Sequence, residues 1–263
     1  MAKKVSMKDI ANKVGVSTAL VSYVLNGLEK ERRVGAEVVG KIHQAAKEMN
    51  YQPNQIARSL RKGTTNTIGL VVADISNPFF GQLARVIEDE AAKVNYTVIF
   101  ASSDESCSKS TSLMETLLNR QVDGLIITPT EGCSSQIKSL IERNIPFVLL
   151  DRYFPEVTAN HVVLNNFEAT YSAVNCFILN GYKKIRMIAY ESNLVHMQER
   201  IRGYEEAMKD NGLVDELVIK KVRYNHSKSG MQKIMDDLLA EKKMNALLFA
   251  TKPLKKSTVR FTI

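Results

Sequence analysis

Apolar residues in the first fifty positions recur at helical spacing, in short runs. A helix over residues 7–13 places Ile10, Ala11 and Val14 on one side, and Gly15 tolerates the turn that follows. Ser17 stands where an N-cap belongs. From it a second helix runs to about Leu25, with Leu20, Val21, Val24 and Leu25 as its apolar stripe and Asn26-Gly27 as its stop. A third helix over residues 36–49 turns Val38, Ile42, Ala45, Ala46 and Met49 inward. Three such helices make a minimal core. Pro53 then disfavours helix before it, and a Gly-Thr-Thr-Asn stretch ends the segment as a linker. Between the two lies a polar helix of about two turns over residues 54–61, too short to be stable alone in water.

From Ile68 onward the period changes. "TIGLVVADI", "YTVIFASS", "GLIITPT" and "PFVLLD" alternate with amphipathic helices over residues 78–94, 108–120 and 134–143. After "HVVLNN" and a helix to Asn180 the alternation restarts with "KIRMIAY", "LVIKKVRY" and "NALLFAT", separated by helices over residues 196–211 and 227–241. Continuous apolar strands with helices between them predict parallel sheets covered on both faces, here in two lobes. The second lobe breaks off after three strands, in the basic stretch "KPLKKSTVRFTI".

The net charge of +8 becomes informative when it is located. Residues 1–63 hold 12 Lys and Arg against 5 Asp and Glu, whereas residues 64–263 hold 24 against 23. A basic head on a neutral body suits phosphate contacts, although a solubilising face would carry the same charge. There is no apolar run of ~18 residues and no apolar segment behind the N-terminal lysines, so secretion and membrane spanning are not expected. The three cysteines, Cys107, Cys133 and Cys176, are far apart in sequence and in no metal-ligand spacing, and are read as free thiols in a reducing compartment. The four histidines, His43, His161, His196 and His226, are scattered and read as surface residues. No phosphate-cradling glycine loop, nucleophile elbow, His-x-x-x-His or Cys-x-x-Cys pair is present, which leaves an enzyme without its chemistry.

The helix pair broken at Gly15 fits a helix-turn-helix, whose second helix offers its N-terminal side chains to base edges in the major groove. The exposed positions there are Thr18, Ala19, Ser22 and Tyr23: hydroxyls for phosphates or bases, and a methyl for thymine. Any basic helical bundle could share that shape. The wording is more specific. "MKDIANKVGVSTALVSYVLNG" closely resembles the N-terminal signature of the LacI/GalR family of bacterial transcription regulators, and "NYQPNQIARSLRKGTTNTIGLVVADISNPFF" resembles that family's hinge and the start of its ligand-binding core. The likeness extends from about residue 5 to about residue 251.

That resemblance implies a small all-α helix-turn-helix head at residues 1–52 and a hinge helix and linker at 53–66. It also implies an α/β two-lobed core at 67–263 resembling periplasmic sugar-binding proteins, working as a homodimer. Within that core the first lobe spans about 67–160, a partial second lobe about 161–251, and a basic tail 252–263. By likeness Ser17, Thr18, Ala19, Ser22, Tyr23 and Asn26 meet DNA, with Tyr23 standing where many members have Arg. In the hinge, Leu60 would wedge into the minor groove beside Ala57, and Asn54 would add a phosphate contact, a coupling of folding to binding that bends the duplex. Asp74 and Asn77, with Phe79 and Phe80, follow the first core strand at its carboxyl end, where open α/β sheets bind ligands. At least one of the two phenylalanines is expected to pack between helix and sheet. Asp151 and Arg152 end the fourth strand, and Arg200 matches a family position whose arginine points at the effector.

Family members continue where this chain has Lys252 and Pro253, and the reading is a truncated product whose incomplete second lobe impairs the effector response. The expected protein is a cytoplasmic, sequence-specific regulator of transcription, a repressor. Its expected partners are double-stranded operator DNA, a sugar or sugar derivative, and a second copy of itself; no cofactor, metal, catalytic residue or membrane is expected. The alternative is a cytoplasmic solute-binding module whose basic head serves another partner.

Overall fold

The computed structural model describes residues 5–52, 63–224, 228–240 and 244–251. The chain divides into two compact units, residues 1–65 and 66–263. The expected hinge helix over residues 54–61, with Asn54, Ala57 and Leu60, lies outside the described residues, as does the basic stretch 252–263.

The first unit contains α1 (Met7–Val14), α2 (Thr18–Leu25) and α3 (Ala36–Glu48). A capping box opens α1: Ser6 Oγ accepts from the Asp9 N–H at 3.3 Å while the Asp9 carboxylate accepts from the Ser6 N–H at 2.8 Å. Gly15 closes α1 at φ 76°, donating its N–H to Ala11 O at 2.9 Å, and Ser17 Oγ caps α2 by accepting from the Leu20 N–H at 3.2 Å. Helices this short are marginal alone. Their stability comes from a common core of Ile10, Ala11, Val21, Val24, Ile42 and Ala45, all buried.

The second unit holds two parallel sheets. The first has strand order β2-β1-β3-β4-β5, built from β1 (Thr67–Val72), β2 (Thr97–Ser102), β3 (Gly124–Ile127), β4 (Phe147–Leu150) and β5 (His161–Val162). Between these strands run α4 (Pro78–Lys93), α5 (Cys107–Asn119) and α6 (Ser134–Glu142). The strands are apolar throughout because both faces are covered. Leu70 and Val72 of β1 pack with Phe80 against α4, whereas Val71 joins Leu125, Ile127 and Leu149 beneath Met114, Leu117, Ile137 and Leu140 of α5 and α6. The expected strand at "HVVLNN" is shorter, because only His161 and Val162 follow β4 in register and Asn165 already caps the next helix.

The second sheet, order β7-β6-β8, comprises β6 (Ile185–Tyr190), β7 (Val218–Val222) and β8 (Ala246–Phe249). On one face α7 (Asn166–Leu179) and α8 (Val195–Asp210) cover Ile185, Met187 and Ala189; on the other, α9 (Lys228–Ala240) brings Met235 and Leu238 against Ile188 and Val222. Gly203 lets α8 approach α7 closely, since a Cβ there would lie 2.4 Å from Phe167 O. Tyr204 beside it is fully buried, donating its hydroxyl to Ile185 O at 2.8 Å and accepting from the Val218 N–H at 3.2 Å.

One sequence expectation is overturned here. Cys107 and Cys133, read as free thiols, are paired as a disulfide with their Cα atoms 5.5 Å apart; the described free cysteine is Cys176, which is exposed. Linear spacing hides the pair. Cys107 opens α5 and Cys133 caps α6, and these two helices lie side by side on one face of the first sheet.

Gly203→Ala is expected to cost about 1–3 kcal/mol, as overpacking against backbone does, and Tyr204→Phe a similar amount by leaving the Ile185 and Val218 main-chain groups unpaired. Urea unfolding followed by circular dichroism reads both, and wild-type midpoints would contradict the packing described.

Candidate functional site

In the small unit the N-terminus of α2 presents Thr18 and Ala19 to solvent, with Ser22 and Tyr23 half-buried one turn later. Two of the expected contact residues have local partners. Ser17 Oγ is engaged by the Leu20 N–H, and the Asn26 amide donates to Ser22 O at 2.6 Å. The Tyr23 ring lies under the Arg32 guanidinium, 5.2 Å from its centroid, a contact that fixes an otherwise free aromatic and places a positive charge beside it. The result is a short helix end carrying hydroxyls, one methyl and a nearby cation.

The second unit contains a cavity of about 360 Å³ where the carboxyl ends of both sheets meet. Strand order 2-1-3 around β1 places a switch point there, the position at which a parallel sheet leaves room for a ligand. Every expected effector residue lines it: Asp74, Asn77, Phe79, Phe80, Asp151, Arg152 and Arg200. Asn77 is also the N-cap of α4, accepting from the Phe79 N–H at 3.1 Å. Phe80 is 1% exposed and belongs to the core on the α4 side, as expected of one of the two rings.

Charge in the cavity is held by a buried network. Arg152, 8% exposed, donates from Nη1 and Nη2 to the two carboxylate oxygens of Glu105 at 2.7 and 2.6 Å, and its Nε lies 3.5 Å from Asp151 Oδ2. Burial opposes the charge on Arg152, yet the Glu105 pairing outweighs it and holds the guanidinium pKa above its ordinary value. Burial pushes the Asp151 carboxyl pKa up, against the pull of Arg152 and Arg200. Arg200 donates from Nε to Asn166 Oδ1 and from Nη1 to Ala250 O, both at 2.8 Å, which aims its head at the cavity from α8. Asp104, Glu105 and Asp151 all adopt left-handed backbone, with φ of 52°, 55° and 67°. Aspartate tolerates that region better than most residues, and of the three Glu105 and Asp151 line the cavity whereas Asp104 is exposed.

Several lining residues escaped the sequence reading. Glu105, Tyr190 and Tyr224 each stand at or just after a strand's carboxyl end, a positional signal that was available. The Tyr224 hydroxyl donates to Asp74 Oδ2, joining the two ends of the cavity, and Tyr190 is pushed up to about 12 by burial first and by Glu105 and Asp74 next. His196 corrects the reading of the histidines as surface residues. It is 8% exposed, lines the cavity, and is pushed down to about 2 by burial and by Arg152 and Arg200, so its ring is neutral. His161 and His43 are exposed, while His226 lies outside the described residues. Asp151 Oδ1, Arg152 Nε and His196 Nδ1 are buried in this wall without a hydrogen bond among the described residues.

Comparison with known proteins matches residues 6–54 to the bacterial regulatory proteins of the lacI family. Residues 65–241 match the periplasmic binding proteins and sugar binding domain of the LacI family. The chain is 35% identical to the ribose operon repressor of Halalkalibacterium halodurans over 81% of its own length and 62% of that protein's. It is 30% identical to catabolite control protein A of Priestia megaterium, over 94% of its own length and 74% of that protein's. It spans 60–74% of the length of curated relatives of this kind. Among solved structures, the Lac repressor dimer bound to operator and the anti-inducer ONPF superposes with a TM-score of 0.81 at 22% identity, covering 96% of this chain and 75% of that one. The Cra regulator of Pseudomonas putida in complex with fructose 1-phosphate superposes with a TM-score of 0.65 at 21% identity, covering 73% and 71%. The matched head and core together cover most of the sequence, and the chain belongs to the LacI family of bacterial regulatory proteins.

Proposed function

We propose that the chain is a sequence-specific DNA-binding regulator of transcription, a repressor acting in the cytoplasm as a homodimer by binding rather than catalysis. A head at residues 1–52 reads operator DNA, a hinge at 53–66 follows it, and a core at 67–263 answers a hydroxyl-rich small molecule. The observation that carries this reading is the exposed N-terminus of α2 within the basic head, whose Thr18 and Ala19 stand where a recognition helix meets base edges. Ser17, Ser22, Tyr23 and Asn26 complete that surface, and Asn54, Ala57 and Leu60 supply the hinge contacts. Dimerisation follows from the logic of the head, because one short helix reads too few bases and a second copy doubles the site.

The effector occupies the cavity of the core. Asp74, Asn77, Asp151, Arg152 and Arg200 address its hydroxyls, and Phe79 and Phe80 give it an apolar face. Asp151 Oδ1 is a buried acceptor without a donor among the described residues, which a ligand hydroxyl satisfies. Arg152 is already engaged by both oxygens of Glu105, so the site favours an uncharged sugar over a phosphorylated one such as the fructose 1-phosphate bound by the Pseudomonas putida neighbour. Ligand binding acts on DNA affinity through a difference in affinity for two arrangements of the core.

Selection of DNA bound by the chain from a random pool is expected to enrich an inverted repeat, and binding to it should weaken by ~10³-fold or more between 50 and 200 mM salt if six or more phosphates are met. Salt-insensitive binding, or no enrichment, would reject the head as a DNA reader. Ala19→Asp is expected to remove operator binding in a gel shift while thermal unfolding stays near wild type, since Ala19 is exposed. Asp151→Asn is expected to weaken sugar binding by about tenfold or more in calorimetry, the worth of a hydrogen bond to a charged acceptor, while DNA affinity without sugar is unchanged. Equal affinity of the variant and wild type for the sugar would move the effector elsewhere.

A further inference from the structure

The paired cysteines lie beside this cavity and have no part in either activity proposed above. Cys107 is the first residue of the thirteen-residue helix α5, half-buried, and its sulfur accepts from Gln136 Nε2 at 3.2 Å. Cys133, 1% exposed, caps α6 with its sulfur 2.9 Å from Thr130 Oγ1. Both sulfurs sit at helix N-termini beside a polar group, which favours thiolate over thiol; Cys107 is the more accessible of the two, so it meets an oxidant first and buried Cys133 is the partner behind it. Their Cα separation of 5.5 Å is one a disulfide accepts without backbone movement.

Each cysteine also sits two residues beyond a carboxylate that matters to the core. Glu105 holds both terminal nitrogens of Arg152 in the cavity. Glu131 accepts from Ser192 Oγ and from the Asn193 N–H, both at 3.2 Å, joining the loop after β3 to the loop after β6. A bond between Cys107 and Cys133 therefore ties the loop that sets the buried ion pair to the loop that links the two sheets.

We propose that Cys107 and Cys133 are a reversible oxidation site for a hydroperoxide, by which the stiffness of the cavity wall follows the redox state. The Cys107 thiolate attacks one peroxide oxygen of hydrogen peroxide and the O–O bond breaks. The other oxygen leaves as hydroxide, which takes up the proton Cys107 released and becomes water, and Cys107 becomes a sulfenic acid. The Cys133 sulfur then attacks the Cys107 sulfur, the S–O bond breaks, and the displaced hydroxide leaves as a second water with the Cys133 proton. Two thiols have lost two electrons and the peroxide has gained them. A dithiol reductant reverses the step by thiol–disulfide exchange.

The test treats the full, pre-reduced chain with stoichiometric hydrogen peroxide, quenches it, unfolds it in an alkylating agent and maps the peptides by mass spectrometry. Of its three cysteines, Cys176 alone is expected to be alkylated after peroxide, with residues 107 and 133 recovered as a linked peptide, and all three after dithiothreitol. Cys107→Ser and Cys133→Ser each abolish the linked peptide, while Cys176→Ser leaves it intact. Amide hydrogen exchange at residues 103–107 and 130–134 is expected to slow in the oxidised chain. Three alkylated cysteines after peroxide, a linkage through Cys176, or a terminal sulfinic acid on Cys107 would overturn the site. Unchanged exchange in both loops would overturn its link to the cavity wall.

Discussion

A parallel sheet covered by helices on both faces has nowhere to put polar chemistry except at the ends of its strands. That constraint organises the core. Residues 70 to 73 are fully buried in the middle of the first sheet, and the first polar side chain after them, Asp74, stands at the cavity. The same rule places Glu105 after β2, Asp151 and Arg152 after β4, Tyr190 at the end of β6 and Tyr224 after β7. Two sheets facing each other with their carboxyl ends thus gather residues from five strand ends, far apart in sequence, into one site.

The gathered charges exclude one another's freedom. Two guanidiniums and three carboxylates share one wall, Asp151 and Arg152 themselves buried, and an unpaired buried ion would cost several kcal/mol. Glu105 meets Arg152 through two hydrogen bonds, Arg200 is held by Asn166 and the Ala250 carbonyl, and His196 loses its proton. Asp151 keeps one oxygen without a donor among the described residues. The network is rigid where it is satisfied and open to a ligand where it is not.

The head follows a different economy. Its helices are too short for intrinsic stability, so caps at Ser6 and Ser17 and the turn at Gly15 carry unusual weight beside a core of six buried side chains. Using the interior faces for that core leaves the outer face of α2 free of packing duties, and this is why Thr18 and Ala19 are exposed.

The element order, both lobes, the helix-turn-helix and six of the cavity residues were legible in the sequence, because period, capping and strand-end position are local properties of the chain, while Arg200, on α8, came from the family resemblance. Glu105, Tyr190 and Tyr224 were legible in principle by the same strand-end rule. Other features were decided by tertiary structure alone. His196 gives no sign in sequence that it is buried, since its surroundings come from Arg152 and Arg200 on separate elements. Cys107 and Cys133, 26 residues apart, meet because two helices lie side by side on one sheet face. Local physics specifies which element a residue joins; which groups share a low-dielectric pocket or a bond depends on distances that exist only after the sheets have closed.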